Sequence, residues 1–392
     1  MRIGILTFHR SINYGAFMQA YALSNELRKR YGNIVEIIDF ELEQKYINYR
    51  KPMFGIKNYI FHGNQYRDKY NKFRKDLELL PLSAETLITN DYDKVLNYFN
   101  KRYDIIIVGS DAVWAYNKYL KIDNPYWLFG DKLNCIKMSY AASAYSLDVK
   151  NVPESDKTYI ADCLKSFSYI GVRDVETYNF IKSADPSLKI NMNCDPTVLL
   201  KKPDRNVAET ILKKKGVDIN KRVVSIMLTG NEYIYKVQKM LGKKYEFINI
   251  DQRNYYADRF KLQRNKYLYD LSPFEWYHIY SCCFLNFTFY FHGTLLALVS
   301  HVPTLSFDKT SFDYPYISKI KQLLLDMNLF EFWFDNNIRS KAQEDLFLSK
   351  VEYAVKNNEL LRKKIEENIE KEKLKSNSFF EHLSSFILCE HS

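Results

Sequence analysis

Short runs of apolar and β-branched residues alternate with helical patterns along most of this 392-residue chain. The alternation is typical of βαβ units, in which helices connect parallel strands and cover the sheet. In the first half, strands are predicted at residues 2–8, 34–40, 103–108, 136–141, 169–172 and 190–194. In the second half, strands are predicted at residues 222–228, 245–250, 284–289 and 304–307. The sequence therefore predicts an α/β fold with two Rossmann-like domains facing across a cleft, because ligands bind beyond the carboxyl ends of parallel strands.

Helical periodicity lies between these strands and continues after the last one. Helices are predicted at residues 14–31, 154–166, 175–183, 273–280 and 316–327, from about residues 232 and 293, and in an aromatic-rich region up to about residue 100. A long, charged amphipathic C-terminal helix is predicted at residues 341–375. The basic stretch 200–221 favours a connection between the halves. We therefore predict an N-terminal domain at 1–205, a C-terminal domain at 206–340, and a helical segment at 341–392 that packs back on both.

The formal net charge of +10 favours an anionic partner, such as a phosphate ester or an anionic membrane face. The basic residues are spread along the chain, and a solvated basic surface is the simpler interpretation. The sequence contains neither an arginine- or glycine-rich arm nor an aromatic ribonucleoprotein motif. No specific recognition of nucleic acid is therefore predicted.

The six cysteines form no C-x-x-C pair and no spacing of a metal site, so reduced thiols and no bound metal are expected. The chain enters a predicted strand at residue 2, without the pattern of a signal peptide. The most apolar window, residues 284–302, contains Asn286, His292 and Gly293, which argues against a membrane span. We expect a cytoplasmic protein that meets any membrane peripherally, at its inner face; the sequence predicts no oligomeric state.

Polar turns follow the predicted strands, at the edge where open α/β sheets bind ligands. The first turn, "HRSINYG", contains His9, Asn13, Tyr14 and Gly15 and leads into the first predicted helix. It either only reverses the chain or binds a ligand at the amino end of the helix. For His9, a role as a turn residue is slightly favoured over a ligand contact.

Two further turns carry charged residues that have an ordinary structural interpretation beside the functional one. The turn "VGSDAVW" contains Ser110 and Asp111, which suit a tight turn or a helix cap as well as a binding site. Arg173 ends another strand and either binds an anion or pairs with Asp174 or a neighbour. The motif Asp195-Pro196-Thr197 most simply forms a structural turn.

His292 follows an almost wholly apolar predicted strand, which favours a position near the core of the second domain. A lone histidine there is usually a core residue whose ring nitrogens are hydrogen-bonded within the protein. However, Gly293 and Thr294 follow it and open a helix whose first amide groups can bind an anion. His292 is therefore a candidate both for phosphate or carboxylate contact and for acid–base work.

Six motifs occur in a consistent order: "NYGAFMQAYAL", "VGSDAVW", "SYAAS", "GVRD", "DPTVLL" and "FHGTLLAL". In this order they resemble the polysaccharide pyruvyl transferase family, from the first strand to about residue 310. The resemblance implies a fold similar to GT-B glycosyltransferases. It also implies the transfer of a pyruvyl group from phosphoenolpyruvate to a sugar of a cell-surface glycan, often as a cyclic ketal on two hydroxyls.

The resemblance places His292 and Arg173 in the family's donor site. It places Asn13, Tyr14 and Gly15 in the first-turn motif, and Ser110 and Asp111 in the Gly-Ser-Asp motif. One position departs from the family pattern. Members with established chemistry often carry an arginine two residues before the histidine, where this chain has Tyr290. Either another cation neutralises the donor or the donor is not phosphoenolpyruvate.

The expected chemistry assigns a role to each candidate. Arg173 and the helix opened by Gly293 are expected to hold the donor, with His292 as phosphate contact or general acid. Asp111 or His9 is the expected base for the sugar hydroxyl. Phosphoenolpyruvate is a co-substrate, and no metal or other cofactor is required. The acceptor is a sugar or a lipid-linked oligosaccharide.

Two other functions are compatible with the same sequence. One is a GT-B glycosyltransferase that uses a nucleotide sugar, and the other is a non-catalytic protein that binds a glycan or a nucleotide. The identity of the transferred group distinguishes the first of these from a pyruvyl transferase.

Overall fold

A computed structural model describes residues 1–47, 64–115, 124–144, 152–228, 232–250, 266–308, 317–335, 338 and 340–388. The described residues form two compact units. The first is drawn from residues 1–54, 77–199 and 373–392, and the second from residues 55–76 and 200–372.

The first unit is built on a parallel sheet. Its strands are β1 (Ile3–Leu6), β2 (Val35–Ile37), β3 (Phe40–Glu41), β4 (Leu87–Ile88), β5 (Ile105–Val108), β6 (Ile136–Ser139), β7 (Phe167–Tyr169), β8 (Gly171–Val172) and β9 (Asn191–Met192). Five of them form a sheet in the order β2-β1-β5-β6-β7, while β3–β4 and β8–β9 form two small parallel pairs. The inner strands β1 and β5 are apolar and buried at every residue, as expected of a sheet covered on both faces.

The second unit contains a larger parallel sheet. Its strands are β10 (Arg222–Met227), β11 (Tyr245–Asn249), β12 (Lys266–Tyr267), β13 (Cys283–Thr288), β14 (Thr304–Asp308) and β15 (Trp333–Asp335). They are arranged in the order β12-β11-β10-β13-β14-β15, and every described pairing is parallel. The central strand β13 directs Leu285 and Phe287 into the core, where both are fully buried.

Helices connect the strands of both sheets. They are α1 (Tyr14–Tyr31), α2 (Asn64–Leu77), α3 (Tyr92–Arg102), α4 (Glu154–Lys165), α5 (Val175–Ala184), α6 (Arg205–Lys214), α7 (Glu232–Leu241), α8 (Pro273–Ile279), α9 (Phe291–Val299), α10 (Lys319–Asp326), α11 (Lys341–Lys356), α12 (Asn358–Lys373) and α13 (Asn377–Leu388). Short 3-10 helices occur at Gly32–Ile34, Pro125–Trp127, Gly130–Lys132, Pro196–Leu199, Gly242–Lys244, Tyr280–Cys282, Phe330–Phe332 and Leu374–Ser376.

The predicted α/β class and its parallel sheets are confirmed, but residues 200–221 are not simply a connection. They contain α6, which begins where the Asp204 carboxylate accepts hydrogen bonds from the amides of Asn206 at 2.8 Å and Val207 at 3.4 Å. An aspartate at this position stabilises a helix start because the first amides have no partner within the helix. The division between the units falls at residue 200, shortly before the predicted domain boundary at 205.

The C-terminal segment is helical, as predicted, and it contributes to both units. Helices α11 and α12 pack on the second sheet: Asn358 donates to the carbonyl of Phe284 at 2.9 Å, and Arg362 donates to that of Cys283 at 2.6 Å. From residue 373 the chain belongs to the first unit. There Phe379 of α13, fully buried, lies with its ring 4.7 Å from that of Tyr140.

We expect Phe379→Ala to destabilise the first unit by roughly 3–5 kcal/mol, because it empties a buried aromatic site against Tyr140. Urea denaturation measures the change. Leu388→Ala, at a side chain 68% exposed near the end of the same helix, is the control and should have little effect. Equal losses in the two variants would contradict the described packing of α13.

Candidate functional site

Backbone pairing brings three of the sequence motifs, "VGSDAVW", "SYAAS" and "GVRD", together at the carboxyl edge of the first sheet. After β5 and β6 the backbone continues in a row in which Asp111 pairs with Ala142, and Ala142 pairs with Val172, the last residue of β8. The amide of Ser143 donates to the carbonyl of Asp111 at 3.0 Å, and that of Arg173 donates to Ala142 at 3.2 Å. The Gly-Ser-Asp and Val-Arg-Asp turns, which lie far apart in sequence, therefore share one edge.

The Gly-Ser-Asp turn has a backbone conformation that few residues adopt. Gly109 has a φ of 109° and joins Ser110 through a cis peptide bond, while Asp111 has a φ of 76°. A Cβ atom on Gly109 would lie 2.3 Å from the carbonyl oxygen of Tyr140, so the position requires glycine. Asp111 is half-buried, and its Oδ1 accepts the amide of Ala112 at 2.8 Å.

Ser110 belongs to a buried hydrogen-bond network rather than to an open surface. Its hydroxyl donates to Gln19 Oε1 at 2.6 Å, and Gln19 Nε2 donates to Thr7 Oγ1 at 2.9 Å. The Thr7 hydroxyl in turn donates to the Ser110 carbonyl at 3.0 Å. Because all three side chains are fully buried, this network fixes the turn that presents Asp111. The predicted contact between Ser110 and a substrate stays a prediction.

Arg173 forms a buried ion pair. Its Nη1 donates to Asp195 Oδ2 at 2.5 Å, and the two side chains are 6% and 2% exposed. The other Asp195 oxygen accepts from the amide of Thr197 at 3.0 Å and from its hydroxyl at 2.6 Å. Burial would lower the pKa of Arg173, but the carboxylates of Asp195, Asp111 and Asp174 outweigh it and raise that pKa. The guanidinium is therefore charged.

The structure shows an ion pair at Arg173 and a structural turn at the Asp-Pro-Thr motif, which are the non-functional alternatives considered for both. Arg173 pairs with Asp195 rather than with its sequence neighbour Asp174, whose carboxylate instead caps α5 by accepting the amide of Thr177 at 2.9 Å. Asp195 in turn begins a 3-10 helix at Pro196–Leu199. The predicted binding of a donor by Arg173 remains untested by this geometry.

The first turn reverses the chain and caps α1 with its own side chain. Asn13 Oδ1 accepts the amides of Gly15 at 3.1 Å and Ala16 at 3.5 Å. Tyr14 and Gly15 are buried in the first turn of the helix. Two of the amides that could have held a ligand therefore already have a protein acceptor.

His9 is buried and contacts Asp39, two residues after the end of β2. His9 Nε2 lies 2.9 Å from Asp39 Oδ1, and His9 Nδ1 lies 3.1 Å from the carbonyl oxygen of Thr7. Both ring nitrogens therefore lie against protein oxygens rather than against open space. His9 is 1% exposed and holds Asp39, which makes it a positioning residue here. Its predicted role as a base or substrate contact finds no support in this geometry.

Asp39 is the centre of this cluster. Arg10 Nε and Thr86 Oγ1 each donate to its carboxylate at 2.5 Å, in addition to His9. Burial alone would raise the pKa of Asp39, but the hydrogen bonds from His9 and Arg10 outweigh it and hold that pKa well below its ordinary value. Sequence reasoning missed this residue. The available signal is an acidic side chain inside the predicted strand 34–40, since a buried charge requires a partner.

A second missed residue is Lys45, on the helical residues 43–47 that follow β3. Its Nζ lies 2.8 Å from the centre of the Phe8 ring, directly after β1. The carboxylates of Asp111 and Glu41 act on it electrostatically. The sequence gives no signal for this lysine, because its neighbours come from three separate strand ends.

The second unit holds the Phe-His-Gly-Thr motif in the first turn of α9. Tyr290 precedes the helix, its side chain does not cap it, and its amide donates to Thr288 Oγ1 at 3.0 Å. His292 is half-buried at the second helical residue, so it lies near the surface rather than in the core. A Cβ atom on Gly293 would lie 2.6 Å from Thr288 Oγ1, which explains the glycine.

Buried polar side chains fix this turn from below. The Thr294 hydroxyl lies 2.8 Å from that of Ser306 on β14. Asn286 Nδ2 donates to the carbonyl of Gly293 at 3.1 Å and its Oδ1 accepts from Ser225 at 2.9 Å. The predicted site residues therefore form two groups. His9, Asn13, Tyr14, Gly15, Ser110, Asp111 and Arg173 lie in the first unit, and Tyr290, His292, Gly293 and Thr294 lie in the second.

Among the described residues, no group of three or more histidine, cysteine, aspartate or glutamate side chains could hold a metal ion. Within the same part of the chain, no helix combines the length and apolar character needed to cross a bilayer.

Comparison with known proteins identifies a family and a fold. Residues 13–309 match the sequence profile of the family described as polysaccharide pyruvyl transferase. No curated protein matches the chain in sequence. In structure, the chain resembles the UDP-GlcNAc 2-epimerase of Methanocaldococcus jannaschii, with a TM-score of 0.53, 12% identity, and coverage of 91% of this chain and 93% of the other.

It also resembles HepE from Anabaena, crystallised in complex with UDP and glucose, with a TM-score of 0.52 and 11% identity. That match covers 98% of this chain and all of the other. At this identity the likeness shows the fold alone, which is similar to that of GT-B enzymes.

We expect Asp39→Asn to cost roughly 3–5 kcal/mol of stability at neutral pH, because it leaves His9 and Arg10 beside an uncharged partner. The folded-state pKa of Asp39 lies below its ordinary value of 3.8, so its contribution is present above that value and is lost as pH falls further. The difference between wild type and variant should therefore shrink below about pH 4. Denaturation at several pH values measures it.

Asp162→Asn is the control for this prediction. Asp162 forms an exposed pair with Lys165 at 2.9 Å, and its loss should cost less than about 1 kcal/mol at any pH. A constant difference between Asp39→Asn and wild type from neutral pH down to pH 2 would show that Asp39 is not held as described.

Proposed function

Because the chain belongs to the polysaccharide pyruvyl transferase family, we propose that it transfers a pyruvyl group from phosphoenolpyruvate to a sugar of a cell-surface polysaccharide or its precursor. The product is a ketal. The observation that carries the proposal is the family match over residues 13–309, which contain all six motifs recognised in the sequence. The row that joins Asp111 to the Arg173 turn through Ala142 supports it, because three of those motifs share one edge.

The donor carries a carboxylate and a phosphate, so cations and helix amino ends are needed to bind it. We assign this work to the first turn of α9, with His292 as phosphate contact or general acid, and to Arg173. A guanidinium has five N–H donors, so Arg173 can bind a second anion in addition to its ion pair with Asp195. Tyr290 stands where relatives often have an arginine, so the donor depends on other cations of this chain.

The reaction needs a proton at the methylene carbon of the donor, which generates an oxocarbenium-like centre at C2. A sugar hydroxyl attacks this carbon, its proton passes to a base, and the phosphate leaves with the electron pair of its C–O bond. Of the two candidates predicted for the base, Asp111 suits the acceptor side better. His9 is buried and both of its ring nitrogens face acceptors, whereas Asp111 is only half-buried at the edge.

We expect His292→Ala to lower kcat/KM with phosphoenolpyruvate by roughly 100-fold or more, the usual effect of losing a general acid or phosphate contact. The assay incubates the protein with phosphoenolpyruvate and glycan acceptors and follows pyruvate addition by mass spectrometry. His382→Ala is the control, because His382 lies in α13 outside the matched residues. Unchanged donor binding and turnover in His292→Ala would remove His292 from the site.

The same assay with nucleotide sugars tests the main alternative. HepE was crystallised with UDP and glucose, and it shares the fold of this chain. A sugar added from a nucleotide donor, with no transfer from phosphoenolpyruvate, would replace the proposal with glycosyl transfer. Binding of either donor without any transfer would favour a non-catalytic relative.

A lipid-linked acceptor would place the protein at the cytoplasmic face of a membrane, and the net charge of +10 suits an anionic surface. We expect binding to vesicles that contain anionic lipid at low salt, and loss of that binding as salt screens the charges. Sedimentation with anionic and neutral vesicles measures both. Absence of binding to anionic vesicles at low salt would contradict the peripheral contact.

A further inference from the structure

We propose that Lys45 is the general base that takes the proton of the acceptor hydroxyl, with Asp111 beside it as the group that orients this hydroxyl. The inference rests on the proposed pyruvyl transfer and names the base for its acceptor side. It differs from the sequence-based expectation, which assigned that proton to Asp111 or His9.

Three elements place Lys45 at the carboxyl edge of the first sheet. The lysine lies four residues after Glu41 of β3, and its Nζ lies over the ring of Phe8, which follows β1. The carboxylate of Asp111, which follows β5, acts on it from a third strand end. Lys45, a half-buried residue, is thus placed where open α/β sheets bind their ligands.

Opposing effects act on the pKa of Lys45. Burial lowers the pKa of Lys45, the carboxylates of Asp111 and Glu41 raise it, and the result is a pKa of about 7. Tyr126 faces the same two carboxylates, and Tyr92 faces Tyr126. The carboxylate of Asp111 also acts electrostatically on the guanidinium of Arg173. At neutral pH a substantial fraction of Lys45 is therefore an uncharged amine, which can accept a proton.

The neighbouring groups suit this step less well. A guanidinium does not give up its proton in proteins, which leaves Arg173 as a fixed charge. His9 is buried and holds Asp39. Asp111 already accepts the amide of Ala112 through Oδ1 at 2.8 Å. An acidic carboxylate is also a weaker base than an amine that titrates near pH 7.

The proposed step balances as follows. The O–H bond of the acceptor breaks, its proton goes to Nζ of Lys45, and the oxygen electron pair forms a bond to C2 of phosphoenolpyruvate. The π-electron pair of C2=C3 takes a proton at C3 from the acid side. The bond between C2 and the phosphate oxygen then breaks with its pair, and the second hydroxyl closes the ketal. The proton of the second hydroxyl leaves on the phosphate as hydrogen phosphate. The proton on Nζ of Lys45 replaces the one that the acid gave to C3, so both groups return to their starting states.

Two substitutions at Lys45 distinguish a role as general base from a role as a fixed positive charge. We expect both Lys45→Met and Lys45→Arg to lower kcat roughly 100-fold or more, because arginine keeps the charge but cannot take a proton. The KM for phosphoenolpyruvate should change little in either variant. Lys45→Arg with near wild-type kcat would overturn the proposal and make Lys45 an anion contact.

The pH profile gives a readout that a structural role would not move. Wild-type kcat/KM should rise with pH through about 7, because the base must be deprotonated. The Glu41 carboxylate raises the pKa of Lys45, so Glu41→Gln should move this inflection to lower pH while the plateau stays similar. An inflection that Glu41→Gln leaves in place would overturn the assignment to Lys45.

The reactivity of Lys45 can be measured without any catalytic turnover, so this test does not depend on the proposed function. Trace acetylation with acetic anhydride reacts with neutral amines, and peptide mass spectrometry reports each lysine as pH is varied. Lys45 should gain reactivity near pH 7. The control is Lys165, because its hydrogen bond with Asp162 raises the pKa of that lysine above its ordinary value, so it should gain reactivity only at much higher pH.

Reactivity of Lys45 only in that higher range would overturn the proposal even if phosphoenolpyruvate is a substrate. A wild-type protein that transfers no pyruvyl group would instead overturn the proposed function, whatever the labelling shows.

Discussion

The carboxyl edge of the first sheet depends on the buried ion pair between Arg173 and Asp195. Removing two charges from water is costly, and the cost is offset only when the remaining donors and acceptors are also satisfied. Here Asp195 accepts two further hydrogen bonds from Thr197, while the carboxylates of Asp111 and Asp174 lie near enough to hold Arg173 charged. The pair joins the end of β8 to the chain that follows β9, and it fixes the turn that aligns with Asp111. The charge of Arg173 and the carboxylate of Asp111 also act on each other electrostatically.

The alternation of apolar runs with helical periodicity is sufficient to predict the architecture, because a strand such as β5 is apolar at every residue and must be covered on both faces. It also locates the strand ends at which Asp111, Arg173 and His292 lie. Local patterns do not show which side chains form ion pairs or hydrogen bonds with each other. Arg173 precedes an aspartate but pairs with another one 22 residues later. His9 is in a turn that looks available for a ligand, yet it pairs with Asp39, 30 residues away. Such partners depend on the order of strands in the sheet, which local patterns do not encode.

The candidate residues divide by chemistry as well as by position. The first unit gathers acids, one lysine and one arginine around the Gly-Ser-Asp turn, a set suited to proton transfer with a sugar hydroxyl. The second unit offers a helix start with an imidazole, supported from beneath by Asn286, Thr288 and Ser306, a set suited to an anion. The proposed reaction would use both sets, since it needs a doubly anionic donor and a nucleophilic acceptor.

The return of the chain to the first unit after residue 373 has a consequence for how that unit can be isolated. Tyr140 OH lies 2.5 Å from Ser376 Oγ, which also contacts Cys194 Sγ at 2.9 Å, and the ring of Tyr169 lies 5.4 Å from that of Phe379. A fragment cut after residue 199 would leave this aromatic surface of the sheet open to water and its buried hydroxyl and thiol without their partner. The smallest autonomous form of the unit is therefore discontinuous in sequence, and producing it would require grafting the tail onto the fragment through a linker.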